Sequence, residues 1–158
     1  VAIELYIICK DNSFLASDFF RPKITTYIDA YRPFEFYDMV TGFVQNSMAN
    51  CAFGIDRFTP TLIFRKGEAK VKNRKSNVIP VVRTTKTLPE HPTPKYLDVY
   101  SRIIFMLTNE GDFVLDPFLG SGTTALGCKN LKRNFIGIEI NPKYCEVARG
   151  RLRQELLF

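Results

Sequence analysis

Residues 113–124 read Phe-Val-Leu-Asp-Pro-Phe-Leu-Gly-Ser-Gly-Thr-Thr, and this stretch decides the fold. Its first four residues predict a short strand that ends at Asp116, and the pattern from Gly122 to Leu131 predicts a helix directly after the turn. Gly120 and Gly122 allow the backbone to turn tightly and to approach a ligand closely. The N–H groups at the start of the helix suit an anion, either a phosphate or the carboxylate of an amino acid.

A second strand and helix follow the first pair. Phe135–Glu139 predicts a strand and Lys143–Leu156 predicts a helix, so the last third of the chain forms a βαβα unit. Such a unit implies parallel strands and a right-handed crossover. Glu139 closes the second strand, where a carboxylate can accept hydrogen bonds from both hydroxyls of a ribose.

Three interpretations of the turn compete on the residues alone. A Walker A loop is discarded, because Thr123 and not lysine follows Gly122. Residues 120–125 match the dinucleotide pattern G-x-G-x-x-A with an acid downstream, but too few residues follow Glu139 for a second mononucleotide half. A tight turn without any ligand would explain the glycines, although the whole string Asp-Pro-Phe-Leu-Gly-Ser-Gly-Thr-Thr is more specific than its glycines.

Three motifs, taken in order, give the chain a family resemblance. His91-Pro92-Thr93-Pro94-Lys95 resembles an HPTQKP block, residues 116–124 resemble a cofactor loop, and residues 135–141 resemble a ribose-binding strand. All three belong to the DNA methyltransferases that modify exocyclic amino groups, the adenine-N6 and cytosine-N4 enzymes with permuted motif order. More faintly, residues 5–67 resemble that family's preceding strands, and residues 61–67 are similar to its "ilvfrKG" segment. The resemblance implies an α/β, Rossmann-like methyltransferase fold with a mostly parallel sheet, incomplete at its N-terminal side, and S-adenosylmethionine (AdoMet) as cofactor.

The resemblance also implies cofactor contacts, residue by residue. One group would line the amino-acid and sulfonium end of AdoMet: Asp116, Pro117, Phe118, Gly120, Ser121, Gly122 and Thr123. Glu139 would bind the ribose, with Asn141 beside it. His91, Thr93 and Lys95 match the block that closes over the methionine carboxylate, a charge that suits a lysine cation, and capping or packing is the alternative role for His91. Pro94 and Tyr96 stand where the family commonly has Gln and Pro.

The family's catalytic segment, [Asp/Asn/Ser]-Pro-Pro-aromatic, does not occur in this sequence. That segment aims acceptors at the target amine, whose lone pair is delocalised into the base. Asn141-Pro142-Lys143-Tyr144 is a near miss at the start of the last helix and is not assigned to catalysis. In the permuted order the segment precedes the strand expected at Leu5–Cys9, so we expect a missing N-terminal segment or a partner subunit to supply it. A native chain of 18.2 kDa would contradict truncation, and we expect such a chain to be inactive alone.

The segment Lys66–Glu90, named here the basic segment, is rich in cations and predicts an exposed excursion. A solvated loop is the alternative, but the family places a target-recognition segment here. The candidate DNA contacts are Arg65, Lys66, Lys70, Lys72, Arg74, Lys75, Arg83 and Lys86. These side chains would hold phosphates or read base edges, and arginine is the better suited to guanine.

The remaining elements are read from shorter signals. They are a buried strand at Leu5–Cys9 closed by Lys10–Ser13, a helix from Ser17 to about Tyr31 interrupted near Pro22, strands at Glu35–Val44 and Thr61–Phe64, a loop at Gln45–Pro60, and an amphipathic helix at Leu97–Leu107.

The composition of the chain limits the number of domains and the kinds of partner and location that are expected. The 158 residues, 46% of them apolar, suffice for one domain, and the net charge of +6 favours a polyanionic partner. No apolar run or leader pattern indicates a membrane span or export, so a cytoplasmic protein is expected. Cys9, Cys51, Cys128 and Cys145 lack metal-ligand spacing and predict reduced, mostly buried thiols without a metal.

The sequence therefore predicts a site-specific DNA methyltransferase that transfers a methyl group from AdoMet to cytosine N4 or adenine N6 of a flipped base in double-stranded DNA. A restriction endonuclease counterpart is a possible partner. Three alternatives stay open: an inactive fragment that binds AdoMet or DNA, a methyltransferase acting on RNA or a small amine, and a nicotinamide-dependent reductase.

Overall fold

The computed structural model describes residues 9–18, 23–45, 50–51, 54–55, 58–82 and 95–153. Two compact units make up the chain, Val1–Val82 and Arg83–Phe158. Most of the strand predicted at Leu5–Cys9 lies outside the described residues, as do His91, Thr93, Arg83 and Lys86. No helix within the described ranges is long and apolar enough to cross a membrane.

The first unit contains six strands and one helix within its described part. In chain order they are β1 (Ser13–Asp18), α1 (Ile24–Ala30), β2 (Glu35–Val44), β3 (Asn50–Cys51), β4 (Gly54–Ile55), β5 (Phe58–Lys66) and β6 (Val78–Val81). Four of the strands form one sheet in the order β1-β5-β2-β6, and β3 pairs with β4 in a separate antiparallel bridge. β5 runs antiparallel to both of its neighbours, whereas β6 runs parallel to β2.

The core of this unit forms where β5 is buried along its middle. Leu62 and Phe64 are fully buried and cluster with Phe34, and the Tyr31 ring lies 5.1 Å from that of Phe64. Helix α1 packs its Tyr27 and Ile28 against the same cluster. The continuous apolar run of β5 is thus explained by burial of its whole middle, which is typical of a central strand.

Several sequence predictions for the first unit were wrong. Residues 13–18 form a strand paired with β5, where the sequence predicted a turn running into a helix. Of the described residues in the predicted helix, those that form an α-helix are Ile24–Ala30. The predicted loop Gln45–Pro60 contains β3, β4 and the beginning of β5. For β1 the hydrogen bonds come from the distant strand β5 and override the local turn signals, whereas β3 and β4 pair with each other.

The basic segment is not a uniformly exposed excursion. Its residues Val78–Val81 form β6, which pairs with β2 and buries Ile79 and Val81 on one face. Ala69 is also buried. Among the described residues of this segment, the exposed cations lie at residues 70–77, between Ala69 and β6.

The second unit follows the predicted βαβα order after an additional helix. Its elements are α2 (Leu97–Leu107), β7 (Phe113–Asp116), α3 (Thr123–Asn130), β8 (Asn134–Gly137) and α4 (Pro142–Arg153). β7 and β8 pair in parallel from Phe113↔Asn134 to Asp116↔Gly137, as predicted. β8 ends at Gly137, so Glu139 lies two residues beyond the strand rather than closing it.

Helix α2 packs its apolar face on α3. It buries Val99, Ile103 and Ile104, the face that the spacing predicted. A Cβ atom added at Gly127 of α3 would lie only 3.1 Å from Ile104 Cδ1 and 3.3 Å from Ser101 Oγ, so the glycine permits this close approach. The free thiol of Cys128 is fully buried, and those of Cys9 and Cys145 are half-buried.

Candidate functional site

The turn between β7 and α3, residues 117–122, is shaped by two glycines in the left-handed backbone region. Gly120 has φ 55° and Gly122 has φ 81°, values that side-chain-bearing residues rarely adopt. Gly122 also caps the N-terminus of α3. The expected tight turn is therefore present, and it follows directly from the strand that ends at Asp116.

Most backbone N–H groups of the turn donate to acceptors within the second unit. The four bonds are Phe118 N to Asp116 Oδ1 (3.0 Å), Leu119 N to Ile138 O (2.9 Å), Gly120 N to Glu139 Oε2 (2.8 Å) and Gly122 N to Leu119 O (3.0 Å). The turn is consequently held in place without a ligand. N–H groups suited to an anion are those of the first turn of α3, which have no carbonyl partner within their own helix.

The carboxylate of Glu139 bridges the turn and the chain that leaves β8. Its Oε2 accepts from Gly120 N and its Oε1 accepts from Asn141 N, both at 2.8 Å. An ionised carboxylate can accept hydrogen bonds from several donors at once. Because the side chain is only half-buried, it can meet a pair of ligand hydroxyls while it still holds the turn. The residues present thus fit the ribose of a nucleoside.

Asn141 acts as the N-terminal cap of α4. Its Oδ1 accepts from the Lys143 N–H at 3.0 Å, which satisfies one of the donors left open at the helix start. The sequence pattern placed Asn141 beside the ribose; the structure places it next to Glu139 with its side-chain oxygen bound to the helix.

The hydroxyl groups of Ser121 and Thr123 face the protein interior. Both residues are only 4% exposed, and both hydroxyl oxygens lie 3.2 Å from Nη1 of Arg151. The same Nη1 donates to the Ser121 carbonyl at 2.7 Å. Arg151 was missed by the sequence reasoning, because an arginine in the last turn of an amphipathic helix ordinarily complements the helix dipole at the surface.

Gly122 is required by the packing of α4 as much as by the turn. A Cβ atom added there would lie 2.8 Å from Ala148 Cβ, well inside van der Waals contact. Close approach to a ligand was the role expected for this glycine; the observed close neighbour is a helix. Ala148 is itself buried.

The other described residues that were predicted to contact the cofactor are more exposed than Ser121 and Thr123. Asp116 and Pro117 are half-buried at the end of β7, and Phe118 is 74% exposed, so its ring is available to a ligand. Lys95 is exposed just before α2. The structure thus brings Asp116, Phe118 and Glu139 to one edge of the β7–β8 pair.

A buried thiol lies behind the turn. The pKa of Cys128 is raised to about 11, mainly by burial and in addition by the Asp116 carboxylate, while Arg133 acts in the opposite direction. The thiol therefore stays protonated and uncharged at neutral pH. Because the Cys128 thiol is uncharged, it adds no second negative charge near the Asp116 carboxylate.

The candidate DNA contacts that lie within the described residues divide into two groups. Arg65 binds Glu35 at 2.6 Å and stacks over the Tyr37 ring, and Lys66 binds Asp11 at 3.2 Å and the Cys9 carbonyl at 2.8 Å. Both cations therefore have partners in the first unit. The second group is exposed and consists of Lys70, Lys72, Arg74 and Lys75.

Comparisons with known proteins agree with one another. The family model described as DNA methylase (N6_N4_Mtase) matches residues 3–150. The Type II methyltransferase M.HpaI of Haemophilus parainfluenzae is 54% identical over 65 residues, which are 41% of this chain and 21% of that protein. The matched part thus spans about a fifth of this curated relative's length.

Solved structures match over nearly the whole chain. The crystal structure of the M1.HpyAVI–SAM complex has a TM-score of 0.81 at 32% identity and covers 95% of this chain and 80% of that one. The PvuII cytosine-N4-specific DNA methyltransferase has a TM-score of 0.74 at 15% identity, covering 94% and 67%, and this likeness concerns the fold alone.

Proposed function

Because this chain belongs to the DNA methylase family of the N6 and N4 methyltransferases, we propose that it binds AdoMet and serves the methylation of an exocyclic amino group in DNA. Family membership and the matching folds confirm the α/β, Rossmann-like methyltransferase fold expected from the sequence. The observation that carries the proposal is the position of the Glu139 carboxylate, which accepts from Gly120 of the glycine turn and from Asn141 and lies half-buried two residues beyond β8, where ribose hydroxyls can donate to it.

The proposed contacts follow from the geometry of the turn. Glu139 would accept the ribose hydroxyls, and the N–H groups at the start of α3 would meet the methionine carboxylate. Asp116 and Phe118 would line the space between these two ends, and Lys95 is proposed for the carboxylate end. When bound, AdoMet supplies an electrophilic methyl group on its sulfonium.

The proposed substrate is a base in double-stranded DNA, either cytosine at N4 or adenine at N6. The amine must leave the base stack to reach a methyl donor, so the base would be flipped out of the duplex. The exposed cations Lys70, Lys72, Arg74 and Lys75, together with Arg83 and Lys86, would bind phosphates. Since that substrate is cellular DNA, the proposal also includes a cytoplasmic location.

The remaining parts of the proposal concern the assembly. We infer that the 158 residues act as one methyltransferase domain, with the Pro-Pro-aromatic catalytic segment supplied by an additional N-terminal segment or a partner subunit. The similarity to a Type II methyltransferase suggests a restriction endonuclease counterpart.

Calorimetric titration with AdoMet tests the cofactor assignment. We expect Glu139→Gln to weaken AdoMet binding about 10- to 100-fold, because an amide nitrogen would face the N–H donor of Gly120 or Asn141 and lose an acceptor for the ribose. Glu146→Gln is the matched control, since its exposed carboxylate on α4 binds only Arg149 among the contacts described. Equal affinity in the Glu139 variant, or preference of the unmodified chain for NAD, would remove the basis of the proposal.

Labelled AdoMet tests the substrate. Label should pass to unmethylated duplex DNA, and not to RNA of equal charge, once the catalytic segment is present. Label transfer by the 158-residue chain alone would refute the proposal that the catalytic segment is supplied by an additional segment or a partner subunit.

A further inference from the structure

Arg151 has an unusual environment for an arginine on a helix of a small α/β unit. Its Nη1 donates to the Ser121 carbonyl at 2.7 Å and lies 3.2 Å from the hydroxyl oxygens of Ser121 and Thr123. All three acceptors are uncharged, and burial lowers the pKa of the guanidinium. Desolvating a cation against neutral oxygens costs free energy, so this contact is not an ordinary surface ion pair.

The contact fixes one particular peptide unit. In the Ser121–Gly122 peptide the carbonyl accepts from Arg151, and the N–H donates to the Leu119 carbonyl at 3.0 Å. The C=O and N–H of a trans peptide point in opposite directions, so two bonds at its two ends oppose rotation of the unit. Gly122 has φ 81° and no side chain to restrict it, which makes this the part of the turn that most needs such a restraint.

Helix α4 connects this restraint to the other half of the site. At its beginning, Asn141 caps the helix and donates its N–H to Glu139. One turn before Arg151, Ala148 packs against Gly122. The same helix therefore contacts both the carboxylate proposed for the ribose and the turn proposed for the methionine end.

We propose that Arg151 is a positioning residue of the AdoMet site, which holds the Ser121–Gly122 peptide in the orientation that binds the cofactor. It acts through the backbone of the turn rather than by contact with the reacting atoms. This inference rests on the proposed function for its effect on AdoMet, but its effect on the turn is independent of any ligand.

Arg151→Met tests the inference, because methionine keeps an apolar stem and removes all the donors. Arg149→Met is the control: it removes a cation two residues earlier on the same helix, where the side chain is 60% exposed and pairs with Glu146. Arg151→Lys keeps the charge but lacks the planar fork. Two measurements apply to each variant well below its unfolding temperature: hydrogen exchange of the Gly122 amide without ligand, and the dissociation constant for AdoMet.

We expect Arg151→Met to speed exchange of the Gly122 amide and to weaken AdoMet binding, each by about tenfold or more, the size expected for loss of a hydrogen bond to a charged group. Arg151→Lys should recover part of both effects, and Arg149→Met should change neither by more than about twofold. Arg151→Lys decides the matter if Arg151→Met does not fold.

A lowered unfolding temperature with unchanged Gly122 exchange and unchanged AdoMet affinity would overturn the inference, because Arg151 would then serve stability alone. Failure of the unmodified chain to bind AdoMet would instead refute the proposed function. In that case the exchange rate of Gly122 alone decides whether Arg151 holds the turn.

Discussion

The turn of residues 117–122 and the exposed part of the basic segment, residues 70–77, are built in opposite ways. In the turn, four backbone N–H groups and one half-buried arginine fix the position of nearly every peptide. Residues 70–77 carry four exposed cations, which would bind a ligand through their charge rather than through a fixed geometry. Substitutions in the turn should therefore have large and specific effects, whereas those in the basic segment should have small, additive and salt-dependent effects.

The largest effect is expected for Gly122→Ala. Alanine would have to adopt φ 81° and would place a Cβ atom 2.8 Å from Ala148 Cβ, so we expect a loss of about 2 to 4 kcal/mol in the free energy of unfolding. Urea denaturation measures that loss. AdoMet binding should fall with it, since the peptide before Gly122 is the one that Arg151 holds.

Gly111→Ala is the matched control for this variant. Gly111 has the same φ of 81°, but nothing lies within 4 Å of an added Cβ atom. The control should thus lose about 1 kcal/mol from backbone strain alone. Equal losses at the two positions would mean that packing against α4 does not restrict the turn.

The free energy of unfolding should also depend on alkaline pH through the buried thiol of Cys128, and this effect is smaller than that of Gly122→Ala. Its folded pKa of about 11 lies above the ordinary 9.0, mainly because of burial, so folding favours the protonated thiol. The resulting stability is fully present below pH 9 and is lost as the pH rises through 11, an effect of at most about 3 kcal/mol. The unfolding free energy of the unmodified chain should decline more steeply between pH 9 and 11 than that of Cys128→Ala. Parallel curves would show that this thiol is accessible to water.

The smallest effects are expected for single cations of the basic segment. Lys72→Gln should weaken DNA binding only a few-fold and reduce the slope of log affinity against log salt by about 1. Its unfolding free energy should not change, because Lys72 is exposed.

Lys66→Gln should behave in the reverse manner. The Lys66 side chain is 12% exposed and holds Asp11 and the Cys9 carbonyl, so its loss should cost about 1 kcal/mol of stability and leave the salt slope unchanged. If Lys66→Gln reduced the slope of log DNA affinity against log salt, Lys66 would contact DNA as the sequence predicted.

The parts of the fold that could be predicted from sequence are those with strong local signals. The bounds of β2, α2 and β7 agree with the predictions. Helix α3 agrees to within one residue at each end, and α4 begins one residue before its predicted start. The glycine turn and the acid after β8 were predicted to lie together for the same reason: both belong to one βαβα unit, where spacing along the chain fixes proximity in space, and Glu139 indeed accepts from Gly120.

What could not be predicted depends on residues far apart in the chain. Strand β6 takes its hydrogen bonds from β2 and has a sequence surrounded by cations, so no local pattern identifies it. Strand β1 likewise exists through its pairing with β5. Arg151 reaches the turn only because Gly122 and Ala148 allow α4 to pack closely, and neither small residue is informative by itself.

Pro80 in β6 limits how the outer side of the described sheet can pair with another strand. The carbonyls of Asn77 and Val81 accept from the N–H groups of Thr41 and Gln45, which means that Pro80 faces the outer edge of the described sheet. A proline there has no N–H to offer, so an incoming strand from another molecule would find a gap in the ladder. Within the described sheet, Pro80 thus reduces the hydrogen bonds that the outer side of β6 can offer to another strand.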